Sequence, residues 1–300
     1  MITGDMWSNW LLHRRQADDN TYAQEVRAQV AGYVDRVLEA AMLRPGMVML
    51  DVGSGEGVVA WRAIERVGPD LRVILTDISP ALLDHARAQA QARGVLGQCV
   101  FVLAGAEDLA GIADGGVDVV TARSVLAYVA DKNAALRACH RVLRPGGCVS
   151  LAEPVFRDEA VEATALRMVV AARAPEHADR FLPLMWQWKA AQFPDTEAAM
   201  AADPLTNYTE RDLLRMAREA GFGEVDLTLH MQARQAPAVQ WEVFLARTPH
   251  PRAPSLAEIM ASRFDAAERD LFEQIMRPVV EAGGRPGVNR LVYMKAVKGE

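Results

Sequence analysis

The stretch "MLDVGSGEGVVAWRAIERV", residues 49–67, sets Gly53, Gly55 and Gly57 at alternate positions between an apolar run ending near Asp51 and a segment of helical pattern. A strand that feeds a glycine turn and then a helix aims free backbone N–H groups, and the positive end of the helix, at whatever binds there. Glycine suits such a turn because a side chain would block a ligand lying against the backbone. The spacing differs from the dinucleotide fingerprint G-x-G-x-x-G, whose third glycine would fall where Val58 stands. A carboxylate at the strand end, Asp51, also suits a ligand carrying an ammonium and a sulfonium better than a pyrophosphate. Asp77 follows Gly53 by 24 residues, at the end of the next strand-like run, where a carboxylate can accept two hydrogen bonds from a ribose diol. The third run leads into "AGAEDL", placing Ala106 and Glu107 where a backbone N–H and a carboxylate can read the edge of an adenine.

The elements that must hold these residues alternate as in a parallel α/β sheet. Strand candidates are "MVMLDV", "RVILTDI", "CVFVLA", "VDVVTA" and "CVSLAEP"; helical spacing fills "VVAWRAIERVG", "PALLDHARAQAQARG" and "KNAALRACHRVLRPGG" between them. Ser79 before Pro80 reads as an N-cap followed by a first-turn proline. Upstream, "NTYAQEVRAQVAGYVDRVLEAAML" is an amphipathic helix with Ala23, Val26, Val30, Val34, Val37 and Leu38 near one face, expected at the sheet edge or lining the site. The rhythm breaks at about 157–205, a helical stretch rich in Met and Trp, and resumes with "TERDLLRMAREAGF", capped by Thr209 and ended by Gly221. The strand "EVDLTLHMQ", a second interruption over about 235–288 and a last strand "RLVYMKAV" complete the chain. The division expected is an N-terminal helical lid over 1–44 and a domain over 45–300 with two helical caps.

Composition narrows the partners. A chain of 300 residues with a net charge of −6 lacks the basic stripe of a nucleic-acid binder. No apolar run approaches the roughly 20 residues that span a bilayer, and the charges near the N-terminus follow the apolar part, unlike a secretory signal. A cytoplasmic protein with no nucleic-acid or membrane partner is expected. Cys99, Cys139 and Cys148 are scattered, which suggests neither a disulfide framework nor a zinc site.

Taken together and in order, "LDVGSGEG", "LTDIS", "AGAEDL", "GGVDVVTARSVLAYVADKNAALRACHRVLRPGG" and "REAGFGEVDL" resemble the successive motifs of class I S-adenosylmethionine-dependent methyltransferases. The resemblance covers about residues 45–153 and 208–232. It implies a doubly wound, mostly parallel seven-stranded sheet of Rossmann-like methyltransferase type, with the last strand antiparallel. It also implies S-adenosyl-L-methionine as cofactor, left as S-adenosyl-L-homocysteine. By the same resemblance Asp51, Gly53 and Gly55 hold the methionine end, Asp77 the ribose, Ala106 and Glu107 the adenine, and Arg123 with Ser124 the neighbourhood of the transferred methyl; Ile78, next to Asp77, is a further cofactor-binding candidate. Where nucleic-acid and many protein-amide enzymes of this class carry [N/D]-P-P-[Y/F], this chain has "TARS". Arg123 occupies the region in which catechol-type members place a metal-binding carboxylate, so no metal is expected. The family commonly joins its last two strands by a short hairpin, and the insertion here departs from that.

Methyl transfer from a sulfonium is an in-line displacement that mainly needs alignment, exclusion of water and, for a poor nucleophile, a base. A small, apolar or aromatic acceptor, methylated at oxygen or nitrogen, is the expected substrate. Base candidates are Glu153 at the fifth strand's tip, His13 and His177 in the two lid segments, and Tyr128 one helical turn past Ser124. Trp7 and Trp10, with Phe181, Met185, Trp186 and Trp188, would form an aromatic lid, against the ordinary alternative that such residues are core. Two competing functions stay open: a cofactor-binding module without chemistry, and a nicotinamide-dependent oxidoreductase. Either insertion could support a homodimer.

Overall fold

The computed structural model of the chain describes residues 5–14, 20–173 and 179–300. Seven strands form one sheet in the order β3-β2-β1-β4-β5-β7-β6: β1 Val48–Val52, β2 Arg72–Asp77, β3 Cys99–Leu103, β4 Val117–Arg123, β5 Leu143–Pro154, β6 Phe222–Gln235 and β7 Pro286–Lys298. β1 to β5 pair in parallel, and β7 runs antiparallel to both β5 and β6. The strand order reverses between β1 and β4, so their C-terminal ends open a crevice, the place where open α/β sheets bind ligands.

Helices cover both faces. α1 Met6–Asn9 continues into a π-helical turn, Trp10–Arg14; then come α2 Asn20–Ala41, α3 Val58–Val67, α4 Pro80–Ala92 and α5 Lys132–Val142. Along β1 alternate side chains serve opposite faces, as a pleated strand requires. Met49 joins Val34, Leu38, Val59, Ala60 and Ala86 from α2, α3 and α4, whereas Leu50 joins Leu136 and Cys139 from α5 on the other side. α4 starts as its sequence dictates: Ser79 Oγ accepts from Leu82 N and Pro80 opens the helix. α2 does not lie at the sheet edge. Its stripe packs against β4, β5 and β7, Val37 sits with Ala152 and Leu291, and Ser150 Oγ donates to Val37 O at 2.8 Å. The side chains of Ala23 and Val26 lie outside the described residues.

Between β5 and β6 run α6 Arg157–Ala172, α7 Phe181–Gln192, α8 Glu197–Ala202 and α9 Glu210–Glu219; α9 opens with the expected cap, a reciprocal box between Thr209 and Asp212. Between β6 and β7 run α10 Trp241–Ala246, α11 Leu256–Arg263 and α12 Ala266–Ala282. This second excursion leaves and rejoins the sheet at one spot, since Gln235 pairs with Pro286 and Ala236 N donates to Arg285 O at 2.7 Å. The two interruptions are not separate caps. α7 and α10 to α12 share one hydrophobic core of Leu184, Trp241, Phe244, Leu256, Ile259, Phe264, Phe272 and Val280. Phe193, Met200, Leu205 and Tyr208, from the end of the first interruption, return to the sheet core. No helix among the described residues is long and apolar enough to cross a membrane.

Candidate functional site

A cavity of about 660 Å³ opens over the C-terminal ends of β1, β2 and β4. Its floor is the glycine turn. Gly53 has φ +59 and Gly57, which starts α3, has φ +78, so both need the left-handed region that glycine tolerates. A Cβ on Gly53 would stand 2.5 Å from Val125 Cγ2, and one on Gly55 2.9 Å from Leu11 Cδ2; bare backbone is all that fits.

The wall includes Gly53, Gly55, Asp77, Ile78, Ala106, Glu107, Arg123, Ser124 and Tyr128, brought together from four strand ends. Asp77 is 6% exposed. Its Oδ2 accepts from Gly55 N and its Oδ1 from Ser79 N, each at 2.9 Å, so the carboxylate pins the glycine turn to the start of α4. Burial raises its pKa, against the opposing pull of the Ser79 and Gly55 N–H groups. Two further lone-pair positions remain for a diol. Ile78 is 56% exposed at the cavity mouth, an apolar platform. Glu107 Oε1 accepts from Asp131 N at 3.1 Å.

Asp51 is not part of the wall; it is 1% exposed, beneath the turn. Oδ1 accepts from Thr121 Oγ1 at 2.8 Å, whereas Oδ2 has no hydrogen bond of normal geometry. Burial pushes its pKa up to about 7, with the Thr121 hydrogen bond and the Arg123 charge pulling the other way. A buried carboxylate oxygen left in this state fits a cation arriving above it.

Two of the base candidates lie elsewhere. Glu153 is fully buried and absent from the wall: its oxygens accept from Val125 N at 2.9 and 3.0 Å and from Ala127 N at 3.2 Å. Its side chain points back under the loop after β4, so it shapes that loop and does not reach the cavity. Burial lifts its pKa to about 7. His13 is exposed and also absent from the wall. His177 lies outside the described residues. Of the three described candidates, Tyr128 alone lines the cavity, its ring edge-on to Trp7 at 5.1 Å.

The aromatic lid divides in the same way. Trp7, Trp10 and Leu11 cover the cavity, held by three ties: Asp5 Oδ2 accepts from Ser79 Oγ at 2.5 Å, Trp10 Nε1 donates to Thr248 Oγ1 at 2.8 Å, and Arg14 pairs with both oxygens of Glu258 at 2.9 Å. Phe181, Met185 and Trp188 instead belong to the cap core, and Trp186 Nε1 donates to Asp195 Oδ2.

Several wall residues carried no signal strong enough to single them out. Gln29 and Tyr33 come from α2, next to Val30 of the expected stripe, Phe156 follows β5, Thr248, Pro249 and Pro251 come from the second interruption, and Asn289 and Leu291 from β7. Tyr33 Oη accepts from both Gln29 Nε2 and Asn289 Nδ2. The i,i+4 spacing of Gln29 and Tyr33 was a legible hint, whereas Asn289 is 256 residues from Tyr33. Among the described residues the wall holds no His, Lys or Cys, and no group of three or more His, Cys, Asp or Glu is placed to hold a metal.

A family model for a methyltransferase domain matches residues 43–221. The ubiquinone/menaquinone biosynthesis C-methyltransferase UbiE of Shewanella oneidensis is 32% identical over 192 residues, 64% of this chain and 72% of that protein. The tRNA 5-carboxymethoxyuridine methyltransferase of Escherichia coli K12 is 39% identical over 118 residues, 39% of this chain and 44% of that protein. The chain spans less than half the length of most of the curated relatives it matches, 43% for the UbiE of Shewanella sp. ANA-3. Among solved structures, the YcgJ protein of Bacillus subtilis superposes with a TM-score of 0.53 at 18% identity, covering 90% of this chain and 99% of that one, which establishes a shared fold.

Proposed function

Because this chain belongs to the methyltransferase-domain family, we propose that it transfers a methyl group from S-adenosylmethionine to a small, largely apolar or aromatic acceptor. The observation that carries the reading is the bare glycine turn on the cavity floor with Asp77 and buried Asp51 beside it. The residues fit the cofactor: Gly53 and Gly55 leave room for it, Asp51 offers a carboxylate to its ammonium, Asp77 has lone pairs for its ribose, and Ile78, Ala106 and Glu107 surround the place of its adenine. Arg123 and Ser124 adjoin the reacting centre. When bound, the cofactor supplies a methyl on a sulfonium, which needs no activation by the protein beyond alignment and exclusion of water.

We place the lid in Asp5–Arg14, with α2 giving its Gln29–Tyr33 turn to the wall and the shared cap closing the far side. A small acceptor is favoured over RNA because the cavity is covered by this lid and the chain carries a charge of −6. The described part of the wall carries Glu56, Asp77, Glu107 and two tyrosines but no His or Lys, which suits an acceptor that arrives already nucleophilic, with Tyr128 the base candidate within reach. An amine, an ionised phenol or an enolate meets that need; the C-methyltransferase relatives bring carbon into consideration beside oxygen and nitrogen.

The test is calorimetric titration with S-adenosylmethionine, S-adenosylhomocysteine and NAD(H) separately. Micromolar affinity for the adenosyl compounds alone is expected, followed by transfer of labelled methyl to members of a phenol and amine panel. Nicotinamide binding without adenosyl binding would overturn the reading, and adenosyl binding with no transfer to any panel member would favour a module without chemistry.

A further inference from the structure

We propose that Tyr33, fixed by Gln29 and Asn289, forms with Arg123 an oxyanion subsite that receives the ionised oxygen of a flat phenol or enol acceptor. The proposal deepens the methyltransferase reading and rests on it.

The cavity divides by the origin of its wall. The loops after β1, β2, β3 and β4 make the half that fits the cofactor. α2, the end of β5, β7 and the 248–251 loop make the other half, where Val30, Pro154, Phe156, Pro249 and Leu291 offer an apolar enclosure. Into that enclosure come few polar groups, which therefore fix what it can hold. Tyr33 is the informative one. Its phenol oxygen accepts from two amides, one on its own helix and one on β7, so both lone pairs are engaged and the O–H remains to donate. The amides also fix the position of the phenol across two elements. Burial raises its pKa, which keeps the proton in place at neutral pH. Arg123 lines the same wall, and its charge, after that of Arg234, opposes the effect of burial on that phenol.

A preset O–H donor on one wall with a guanidinium, in a mostly apolar enclosure, favours an oxygen carrying negative charge over a neutral one. Such a subsite asks for no base: the acceptor's proton leaves to solvent as the anion is bound. The apolar walls require the rest of the acceptor to be hydrophobic, and an ionised phenol or enol combines both properties. A free carboxylic acid without an apolar ring would leave those walls unfilled.

The experiment uses the full chain saturated with S-adenosylhomocysteine and the probe para-nitrophenol, whose ionised form is read by its absorbance, with nitrobenzene as the neutral comparison. The wild type is expected to bind the phenolate, to lower the probe's apparent pKa, and to bind nitrobenzene at least about tenfold more weakly, the scale of one hydrogen bond to a charged group. Tyr33→Phe should lose about tenfold or more in phenolate affinity and most of the pKa shift, with nitrobenzene binding unchanged. Asn289→Ala should fall between the two. Unchanged S-adenosylhomocysteine affinity in both variants shows that they fold. Failure of the wild type to bind S-adenosylhomocysteine would overturn the methyltransferase reading. Cofactor binding without preference for the phenolate, or a preference that survives Tyr33→Phe, would overturn the subsite alone.

Discussion

Asp77 already accepts from Gly55 N and Ser79 N, and it also belongs to the cavity wall, so one side chain both shapes the turn and lines the cavity. Asp77→Ala should therefore weaken S-adenosylhomocysteine binding by about 1.5–3 kcal/mol, the worth of hydrogen bonds to a charged group, and calorimetry would register it. Glu153 is a different case, because its carboxylate is engaged by backbone donors at Val125 and Ala127. Glu153→Gln puts an amide N–H against those donors and should cost about 1–3 kcal/mol in urea unfolding, as buried donors left without an acceptor do. A base role would have lowered turnover with stability intact. The glycines, Asp77 and Glu107 were legible in the sequence because strand, turn and helix place them by local spacing. The placement of Glu153 under the next loop was not legible, because strand alternation settles which face a residue takes, whereas its rotamer is a tertiary matter.

At the scale of elements, the segment Asp5–Arg14, proposed as the lid, is tied down at unequal strength. The Arg14–Glu258 pair is exposed, with side chains 37% and 53% accessible, so it contributes about 0–1 kcal/mol. Trp10 contributes a half-buried indole and a hydrogen bond to Thr248. In stopped-flow release of S-adenosylhomocysteine, Arg14→Ala should change the rate by less than about fivefold, as an exposed ion pair implies. Trp10→Ala should speed release well beyond that, through lost packing and a lost bond together. Equal effects would mean that the segment does not gate the ligand. Trp7 and Trp10 could be read as lid residues because aromatic side chains favour pocket linings. The same reading failed for α7, whose Phe181, Met185 and Trp188 meet Trp241, Phe244 and Phe272 from a segment some 50 residues or more further along, and no local pattern announces that partnership.

The whole molecule couples pH to both stability and ligand. Asp51 has a folded pKa of about 7 against an ordinary value of 3.8, because burial disfavours its charge. Between those values the folded chain holds a proton that the unfolded chain has released, so the contribution to stability falls as pH rises across the window. A cationic amino group above Asp51 reverses the preference by favouring the carboxylate. S-adenosylhomocysteine affinity should therefore rise from about pH 6 to about pH 8, a slope that Asp51→Asn should flatten. A flat wild-type profile in calorimetry would remove Asp51 from cofactor recognition.

The existence of β1 to β5 and the start of α4 followed from periodicity and a cap, but the union of the two interruptions did not, since it depends on contacts between distant segments. Phe272 is fully buried at its centre, with ring centroids of Phe181, Trp188 and Phe264 at 5.5, 5.9 and 5.5 Å. Phe272→Ala should cost this core about 3–5 kcal/mol. Because the cap core draws its buried residues from α7 and from 239–280 alone, hydrogen exchange should accelerate over both segments together while the amides of β1 to β5 stay protected. Thr248, Pro249 and Pro251 belong to the cavity wall, so S-adenosylhomocysteine should also leave faster. Acceleration confined to α11 and α12 would show instead that the two interruptions fold independently and that the wall does not rely on their union.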